Sequence, residues 1–441
     1  MISTPQEIAA EAGSDGVSRA TLAKVSWRLL PFLLLLYVVA WLDRVNIGFA
    51  ALQMNADLGL SATAYGFGAG VFFIGYALCE VPSNLILVRV GARRWIARIM
   101  LTWGALSIAM LFARGPVSFS VLRFLLGAAE AGFLPGIIYY LGTWFPSVER
   151  ARAVSWFMLA IPLSSVVGGP LAGALLGLDG WHGLEGWQWL FLLEGVPAVL
   201  LGFVVLAYLT DKPEEAAWLD AQERRALAAK IRAEHRQAHE RHGVALRAAL
   251  LHPTVWLLGL ISFATQFGSY GLTLWIPQIV RGLSDMGDFA VSAISAIPYA
   301  LASIGMIIIG VSSDRSGERI MHIAIPSALA AVGFAASAFL TTPLPGMIAL
   351  SLGAFGAIST RGPFWTLPTR FLAGSAAAGG IALINTFGAL SGFVAPFAVG
   401  VVRDLTGGFT GGLLFLAAML LVATIATAYL RRMRVLSPDS H

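Results

Sequence analysis

The amino-acid sequence predicts an all-α, polytopic membrane protein in which twelve transmembrane helices form two pseudo-symmetric six-helix bundles. The chain is 57% hydrophobic and 12% charged, with a mean hydropathy of +0.77, whereas soluble domains carry about 25% charged residues. Its apolar residues form twelve continuous blocks, each long enough to cross a bilayer core of about 30 Å. The two halves also repeat: Gly91 corresponds to Gly317 and Pro170 to Pro396, at one offset of 226 residues.

The twelve apolar blocks define the predicted spans. They run continuously and do not alternate with polar residues, which disfavours a β-barrel. The predicted spans are residues 27–50, 61–87, 95–113, 116–142, 153–176, 188–209, 254–280, 289–311, 320–341, 345–369, 378–402 and 408–430.

A polar segment divides the chain into six spans plus six. Residues 211–252 are rich in Ala, Glu, Arg, His and Gln, with a predicted helix near residues 221–242, and we interpret them as a charged cytoplasmic tether. Parallel six-helix halves are a known transporter plan, with the substrate site at their interface near the bilayer midplane. The predicted divisions are the tail 1–26, the bundle 27–210, the linker 211–252, the bundle 253–431 and the tail 432–441.

The basic residues predict the orientation of the chain. Of the 29 Lys and Arg, 23 lie in the two tails, in the loops on the same side of the predicted membrane, or in the first four residues of the spans that follow them. By the positive-inside rule both termini are cytoplasmic, as in a multi-pass protein of a bacterial inner membrane. The net charge of +5 is therefore distributed by topology and predicts no nucleic-acid patch. No cleaved signal peptide is evident, so the first span is expected to act as its own insertion signal.

The candidate site starts in span 1, where Asp43, Arg44 and Asn46 follow an apolar run, and continues in span 4 with Arg123 and Glu130. A charge in a spanning helix costs about 2.5 to 3.5 kcal/mol and persists mainly where it has a partner or faces a cavity. Arg123 and Glu130 are seven residues apart, so they lie on nearly the same helix face. Asp43 and Arg44 point about 100° apart, which favours partners on other helices. We predict a cross-helix network of these four charges.

That network predicts a coupling mechanism. Protonating Asp43 or Glu130 frees an arginine, and the guanidinium of Arg44 or Arg123 can then hold a substrate carboxylate through two hydrogen bonds. A proton and an anion would therefore bind cooperatively, each improving the other's site by the same factor. The alternative is a structural salt bridge between helices. Further candidates to line the cavity are Tyr37, Asn46, Tyr76, Gln278, Trp365 and Asn385.

Some of these candidates have a second interpretation. Asn385 and Tyr76 can equally hydrogen-bond across helices, and Trp365 can anchor the chain at the membrane interface. Arg361, in span 10, can bind a second carboxylate of the substrate or extend its side chain to the cytoplasmic surface.

Other functional classes lack their motifs. The sequence contains no His-Glu-x-x-His, no Gly-x-Ser-x-Gly and no paired intramembrane aspartates, so an intramembrane enzyme is not expected. One cysteine, Cys79, gives no disulfide framework and no metal-ligand spacing. No sensory module is added to the spans. We expect no cofactor and no metal, protons as the coupling ion, and a monomer in the lipid bilayer.

Eight stretches of the sequence match the pattern of one known family. They are Leu42-Asp43-Arg44-Val-Asn46, Gly75-Tyr76 to Glu80-Val-Pro-Ser-Asn84, Gly91-Ala-Arg-Arg-Trp95, Arg123-Phe-Leu-Leu-Gly-Ala-Ala-Glu130-Ala-Gly, Trp144-Phe-Pro, Glu149-Arg150-Ala-Arg152-Ala, Gly362-Pro-Phe-Trp365 and Ala382-Leu-Ile-Asn385. On these residues the chain, from Leu29 to Leu430, resembles the major facilitator superfamily and, within it, the anion:cation symporter family, in particular its tartrate-transporter branch.

The resemblance implies proton-coupled import of a small organic anion, such as a tartrate-like hydroxy-dicarboxylate or a related sugar or aromatic acid. An anion exchanger or exporter without net proton movement is the alternative. The resemblance also implies a cytoplasmic gate, whose charge pairs latch the outward-facing state, made of Glu80, Arg89, Arg93, Asp314, Arg315 and Arg319. The sequence departs from the family pattern at Arg361 and after Asn385, where it reads Gly388-Ala-Leu-Ser-Gly-Phe393.

Overall fold

The computed structural model describes residues 17–240, 253–368 and 374–436. Parts of the predicted tails and of the predicted linker lie outside these residues. The α-helices are α1 Arg19–Asp57, α2 Ala62–Val90, α3 Ala92–Ala109, α4 Pro116–Glu130, α5 Phe133–Trp144, α6 Ser147–Met158, α7 Ala160–Leu176, α8 Gly186–Tyr208, α9 Ala221–Glu240, α10 Pro253–Leu283, α11 Asp288–Ile294, α12 Ala296–Ser316, α13 Met321–Phe339, α14 Pro343–Ser359, α15 Arg361–Trp365, α16 Gly374–Thr406 and α17 Thr410–Leu436. Three short 3₁₀ turns accompany them at Met110–Phe112, Trp181–Gly183 and Pro213–Glu215.

Twelve of the helical segments are long and apolar enough to cross a membrane, which confirms the predicted fold class. The first is longer than predicted at both ends. Its start is defined by Ser18, which caps the helix by accepting a hydrogen bond from the Thr21 amide at 3.1 Å. The spans, numbered 1 to 12 from here on, are Arg19–Asp57, Ala62–Val90, Ala92–Phe112, Pro116–Trp144, Arg152–Leu176, Gly186–Tyr208, Pro253–Leu283, Asp288–Ser316, Met321–Phe339, Pro343–Trp365, Leu383–Thr406 and Thr410–Arg432.

Spans 4, 5, 8 and 10 are each two helices, where the sequence predicted one continuous helix. Every interruption precedes a proline in the first turn of the following helix: Pro135, Pro162, Pro298 and Pro363. Proline has no backbone N–H, so the carbonyl four residues earlier loses its helical donor. Other prolines, such as Pro82, stay inside a continuous helix, so the proline alone does not decide where a span breaks.

Close glycine contacts join the N-terminal half, spans 1–6, to the C-terminal half, spans 7–12. Span 2 packs against span 11, and span 5 against span 8. A Cβ added at Gly66 or Gly400 would collide with the backbone of the opposite helix, at Pro396 and Ala62 respectively. The absence of side chains therefore allows spans 2 and 11 to meet backbone to backbone.

The structure has two faces, which we call terminal and distal. The terminal face is where span 1 begins and span 12 ends, and the distal face is opposite. Because the spans alternate in direction, spans 1, 7 and 11 end at the distal face, and spans 2 and 8 begin there. Helix α9 of the linker docks at the terminal face of the N-terminal half, where Lys24 donates to Glu223 at 2.6 Å.

Hydrogen bonds between the halves hold the distal face together. Gln53 donates to Asp288 at 2.7 Å and Asn55 to Gln278 at 3.4 Å. The Asp404 carboxylate accepts from the first backbone amides of span 2, including that of Thr63 at 2.7 Å. This contact caps a helix of one half with a side chain of the other. The two halves are therefore bonded to each other at the distal face.

Candidate functional site

Arg44 and Glu130 form a buried ion pair between spans 1 and 4. The exposed fraction is 14% for the Arg44 side chain and 2% for that of Glu130. The Arg44 guanidinium also lies 5.3 Å from the centre of the Tyr76 ring and 5.5 Å from that of Phe72. A guanidinium at this distance from an aromatic face is attracted by the ring quadrupole. Arg44 of span 1 therefore lies against the Glu130 carboxylate and the rings of Phe72 and Tyr76.

Asp43, the preceding residue, lies in a different environment. Its carboxylate accepts from the Trp103 indole N–H at 2.6 Å, from the Ser107 hydroxyl and, at 3.4 Å, from the Asn46 amide. These are neutral donors, and two of them belong to span 3. Asp43 is 1% exposed. Its charge is therefore stabilised by hydrogen-bond dipoles, with Arg123 acting only at longer range.

Glu194, in the middle of span 6, is the buried acid that the sequence analysis missed. It is 5% exposed, it contacts Asn46, and it interacts electrostatically with Asp43. Its Oε2 has no hydrogen-bond partner. A signal was present, because an ionisable residue inside an apolar span is by default a functional candidate. We call Asp43, Asn46, Trp103, Ser107 and Glu194 the acid cluster.

Arg123 is buried without an ion pair. It is 1% exposed, its Nε and Nη1 have no hydrogen-bond partner, and its guanidinium lies 4.8 Å from the Phe72 ring centre. It interacts electrostatically with both Asp43 and Glu130. A buried guanidinium with unsatisfied donors is costly unless something else binds them. Arg123 therefore offers N–H groups to an anion.

The break in span 4 lies directly after Glu130. Helix α4 ends at that residue, Ala131 is extended, and Gly132 has a positive φ of 87°, which glycine adopts without strain. Because Pro135 has no N–H, the carbonyl of Ala131 loses its helical donor. The Ser83 hydroxyl of span 2 replaces it by donating to this oxygen at 2.6 Å. The position of Glu130 is thus defined by a helix end that span 2 stabilises.

Arg361 lies across from span 1 in a cavity between the two halves. Helix α15 begins at this residue, after the break in span 10. Trp41 and Val45 line the cavity from one side, and Arg361, Tyr299 and Thr273 line it from the other. The structure thus places Arg361 at a cavity between the halves, and its role toward a second carboxylate stays a prediction.

The other predicted lining residues are distributed unevenly. Tyr37 is 3% exposed and stacks on Phe157 with ring centres 4.4 Å apart, one turn from Trp41. Tyr76 contacts Arg44, as described above. Trp365 is 40% exposed and packs edge to face on Phe364. Asn385 is partly buried on span 11, and no contact places it with the charges of span 1.

Gln278 lies at the distal face and not beside the buried charges. Its Oε1 accepts from Arg403 at 2.7 Å and from Asn55 at 3.4 Å. The structure therefore places it among the bonds that join the two halves. The sequence could not show this, because its position depends on how span 7 is rotated against spans 1 and 11.

The six predicted gate residues all lie at or toward the terminal face. Arg319 pairs with Asp314 at 2.6 Å, and the Arg93 amide donates to Asp211 at 2.8 Å. Both contacts stay within one half. Glu80 interacts electrostatically with Arg44, and Arg89 and Arg315 are exposed. Among the described residues, no ion pair links these six side chains across the halves. At the terminal face, the described charged side chains of one half are therefore not paired with those of the other.

Within the described ranges, no group of three or more His, Cys, Asp or Glu side chains is arranged to hold a metal ion. The site brings together two guanidinium groups and three carboxylates: Arg44, Arg123, Asp43, Glu130 and Glu194.

The chain is similar to known transporters in sequence and in fold. Residues 33–396 match the family model of the Major Facilitator Superfamily. The "Putative tartrate transporter" of Agrobacterium vitis is 50% identical over 420 residues, covering 95% of this chain and 93% of the relative. The "Quinolone resistance transporter" of Acinetobacter baumannii is 44% identical over 406 residues, covering 91% and 93%. A bacterial homologue of the human lysosomal transporter Spinster, solved in an inward-facing and unoccupied conformation, superposes with a TM-score of 0.78 at 16% identity, covering 96% of this chain and 99% of that one.

Proposed function

The chain belongs to the Major Facilitator Superfamily and is a multi-pass membrane transporter, not an enzyme, and from this premise we propose that it imports a small organic anion by proton symport with alternating access. The proposal places it in a bacterial inner membrane with both termini in the cytoplasm, so that the terminal face is cytoplasmic. The single observation that carries the proposal is the pairing of Arg44 with Glu130 next to Arg123, whose Nε and Nη1 have no hydrogen-bond partner.

Arg123 is the proposed anion-binding residue. Its unpartnered Nε and Nη1 lie on different edges of the guanidinium, and each can donate a hydrogen bond to a carboxylate oxygen of the anion. Because Arg123 is buried, that contact forms in a low dielectric, where it is stronger than at the surface. The residue thus supplies both the charge and the hydrogen bonds that recognise an organic acid.

Glu130 is the proposed coupling acid. While it is ionised it occupies Arg44, and protonation removes that charge and frees the Arg44 guanidinium for the substrate. Proton and anion then stabilise each other's binding, and the coupling free energy is the same in both directions. The first helix of span 4 ends at Glu130, and Ser83 stabilises this break. Span 4 can change shape at the break and so move the acid.

The distal contacts are the proposed outer gate. Gln53 with Asp288, and Asp404 with the first amides of span 2, close the face opposite the termini. In the alternate state these bonds would break, and the charges of the predicted cytoplasmic gate would pair instead. Alternating access requires such an exchange around one central site.

The proposed substrate class is a tartrate-like hydroxy-dicarboxylate. Arg361 lines the cavity between the two halves, opposite Trp41, where it can meet a second carboxylate. The hydroxyl groups of Ser165, Thr273 and Ser303 line the same cavity and can bond substrate hydroxyls. The similarity to a relative named as a tartrate transporter agrees with this assignment.

Uptake of radiolabelled tartrate into proteoliposomes, with and without an inward proton gradient, tests the proposal. We expect gradient-driven accumulation in the wild type, and its loss with retained exchange in Glu130→Gln, because the neutral amide mimics a permanently protonated acid. Glu149→Gln, an acid at the terminal face, is the control. Accumulation that ignores the gradient in the wild type would instead assign the chain to the exchangers or exporters.

Arg361→Ala tests the substrate class. We expect weaker uptake of dicarboxylates with little change for monocarboxylates, because only the second carboxylate loses a partner. A charged hydrogen bond contributes about 1.5 to 3 kcal/mol, or about 10- to 150-fold in affinity. Equal losses for both classes would reject the second-carboxylate role.

A further inference from the structure

Glu194 changes the charge balance of the buried site. Three buried carboxylates, of Asp43, Glu130 and Glu194, lie among two buried guanidinium groups, of Arg44 and Arg123. Arg44 neutralises Glu130, and Arg123 can neutralise one further acid. With all five groups ionised, one negative charge stays uncompensated in a region that excludes water, which is strongly unfavourable. The buried site therefore needs one more positive charge.

The acid cluster also has fewer hydrogen-bond donors than its acceptors need. Trp103, Ser107 and the Asn46 amide all donate to Asp43. Two acceptors are left without a donor, the Oε2 of Glu194 and the Oδ1 of Asn46. Exchanging the amide oxygen and nitrogen of Asn46 does not help, because the group offers one acceptor and two hydrogens in either orientation. A hydrogen added to the Glu194 carboxylate would remove its charge and supply a donor, which the oxygen of the neighbouring Asn46 lacks.

We propose that Glu194 and Asp43 form a second proton-binding site, in which one proton is shared by the acid cluster between spans 1, 3 and 6. The proton resides on Glu194 and bonds to the Asn46 oxygen, while Asp43 stays ionised against Trp103 and Ser107. This assignment follows from the partners: Asp43 has three donors and Glu194 has an oxygen with none. Two neighbouring carboxylates repel each other when both are ionised, so the pair binds the proton jointly.

The cluster suits a proton better than a metal cation. A cation needs several oxygen ligands with free lone pairs around one point. Here the Asp43 oxygens are already occupied by an indole N–H and a hydroxyl, and an N–H group pointing at the carboxylate would repel a cation. The missing partner is a hydrogen-bond donor, which a proton on a carboxyl group supplies.

The charged groups around Glu194 belong to spans 1 and 4. Asp43 of span 1 acts on Glu194, Arg123 of span 4 acts on Asp43, and Arg44 and Glu130 of the same two spans form the neighbouring ion pair. Span 3 faces the cluster with Trp103 and Ser107, and its arginines lie in its first two turns near the terminal face. The helix of span 5 that packs on span 6, Ala160–Leu176, has no ionisable residue. Arg123 is thus the cation that both acid sites share.

The consequence is a second proton in each transport cycle, and this inference rests on the proposed proton symport. Glu130 binds one proton when it releases Arg44, and the acid cluster binds the other. Both sites act on Arg123, because a proton in the acid cluster removes one negative charge from its surroundings and leaves more of its positive charge to attract the anion. Two protons would balance the charge of a dicarboxylate, which agrees with the role proposed for Arg361.

Infrared difference spectroscopy on the purified protein without substrate tests the site directly. Moving from alkaline to acidic buffer should produce a protonated-carboxyl band that shifts in deuterium oxide and that Glu194→Gln removes in part. Glu130→Gln should remove a different component. Glu185→Gln, an exposed acid at the start of the same helix, is the matched control and should leave the band unchanged. An unaltered band in a folded Glu194→Gln protein overturns the proposal, as does a response to sodium in place of protons.

Ser107→Ala provides a second variant in case Glu194→Gln does not fold, since it removes a donor from Asp43 and should alter the same band component. With the membrane potential held at zero, the pH gradient that just balances a known tartrate gradient then gives the proton-to-anion ratio, which should fall from two to one in Glu194→Gln. An unchanged ratio overturns the second proton. If the wild type shows no gradient-driven transport at all, the proposed symport fails while the infrared result still decides whether the cluster binds a proton.

Discussion

Asp43 and Arg44 are adjacent in sequence, yet their side chains lie in two regions with different chemistry. Arg44 meets a charge of opposite sign, Glu130, and three aromatic rings. Asp43 meets only neutral donors, one indole, one hydroxyl and one amide. An advance of one residue on a helix turns the side chain by about 100°, which is enough to place one residue toward span 4 and the next toward span 3.

The difference shows two ways of holding a charge inside a membrane protein. In the ion pair each charge depends on the other, and losing one leaves the other exposed to a low dielectric. In the acid cluster several hydrogen-bond dipoles together stabilise the carboxylate charge, so each contributes less. The acid cluster can also bind a proton, which removes one negative charge. The ion pair is therefore suited to a switch between partners, and the acid cluster to the storage of a proton.

Breaking the ion pair should have the largest effect. In Arg44→Gln the Glu130 carboxylate is left buried without its cation, and we expect a loss of about 3 to 5 kcal/mol in the free energy of unfolding. Thermal unfolding of the purified protein in detergent measures it. Arg98→Gln is the matched control, because Arg98 stacks on the Trp95 ring at 3.9 Å and serves no buried acid.

The double variant Arg44→Gln with Glu130→Gln decides whether the loss comes from the unpaired charge. It leaves no ionised group behind, so it should be more stable than Arg44→Gln alone, as a double-mutant cycle would show. If the double variant loses as much as the two single variants together, the two side chains act independently and the ion pair does not explain their burial.

Removing one donor from the acid cluster should have an intermediate effect. Trp103→Phe keeps the ring but leaves the Asp43 Oδ2 without its hydrogen bond, and we expect a loss of about 1.5 to 3 kcal/mol in unfolding free energy. Trp187→Phe is the matched control. Trp187 also donates to an aspartate, Asp57, at 2.8 Å, but Asp57 is exposed at the distal face, where water can replace the donor.

Equal losses in the two tryptophan variants would contradict this explanation, because burial would then not set the cost. A loss confined to Trp103→Phe would show that the acid cluster is sealed from water. The same measurement repeated at acidic pH sharpens the contrast: the proposed proton resides on Glu194 and leaves Asp43 ionised against Trp103, so the difference between Trp103→Phe and wild type should persist.

The sequence was sufficient to predict the architecture but not the breaks within it. Twelve spans follow from hydropathy, because each block must be long enough to cross the bilayer. The interruption after Glu130 could not be predicted from Pro135 alone, since Pro82 lies inside a continuous helix. The break depends on Ser83, which satisfies the freed Ala131 carbonyl from another span. Such partners are known only when the packing is known.

The candidate site was predictable in composition but not in its connections. The cost of membrane charge identified Asp43, Arg44, Arg123 and Glu130, and the structure gives Asp43 and Arg44 separate partners. Which acid meets which base depends on the rotation of each helix about its axis, and that is a property of tertiary packing. The proposed proton and substrate roles of these residues remain predictions.

Breaking a surface ion pair should change the stability of the protein least. At the terminal face Glu223 of helix α9 accepts from Lys24 of span 1, and this hydrogen bond lowers the pKa of the Glu223 carboxyl group below its ordinary value. A carboxylate with a lowered pKa stabilises the fold at neutral pH, and the contribution disappears as the pH falls through the lowered pKa. Glu223→Gln should therefore shift thermal unfolding slightly at neutral pH and not in acid.

The expected shift for Glu223→Gln is smaller than for either buried site, because solvent and salt screen a surface pair and its ordering costs side-chain entropy. Glu215→Gln, an exposed acid in the same linker, is the control. A shift as large as that of Arg44→Gln would mean that the docking of helix α9, and not the buried charge, dominates the stability of the N-terminal half. The expected order of stability losses, largest for the ion pair, smaller for the acid cluster and smallest for the surface pair, would then be wrong.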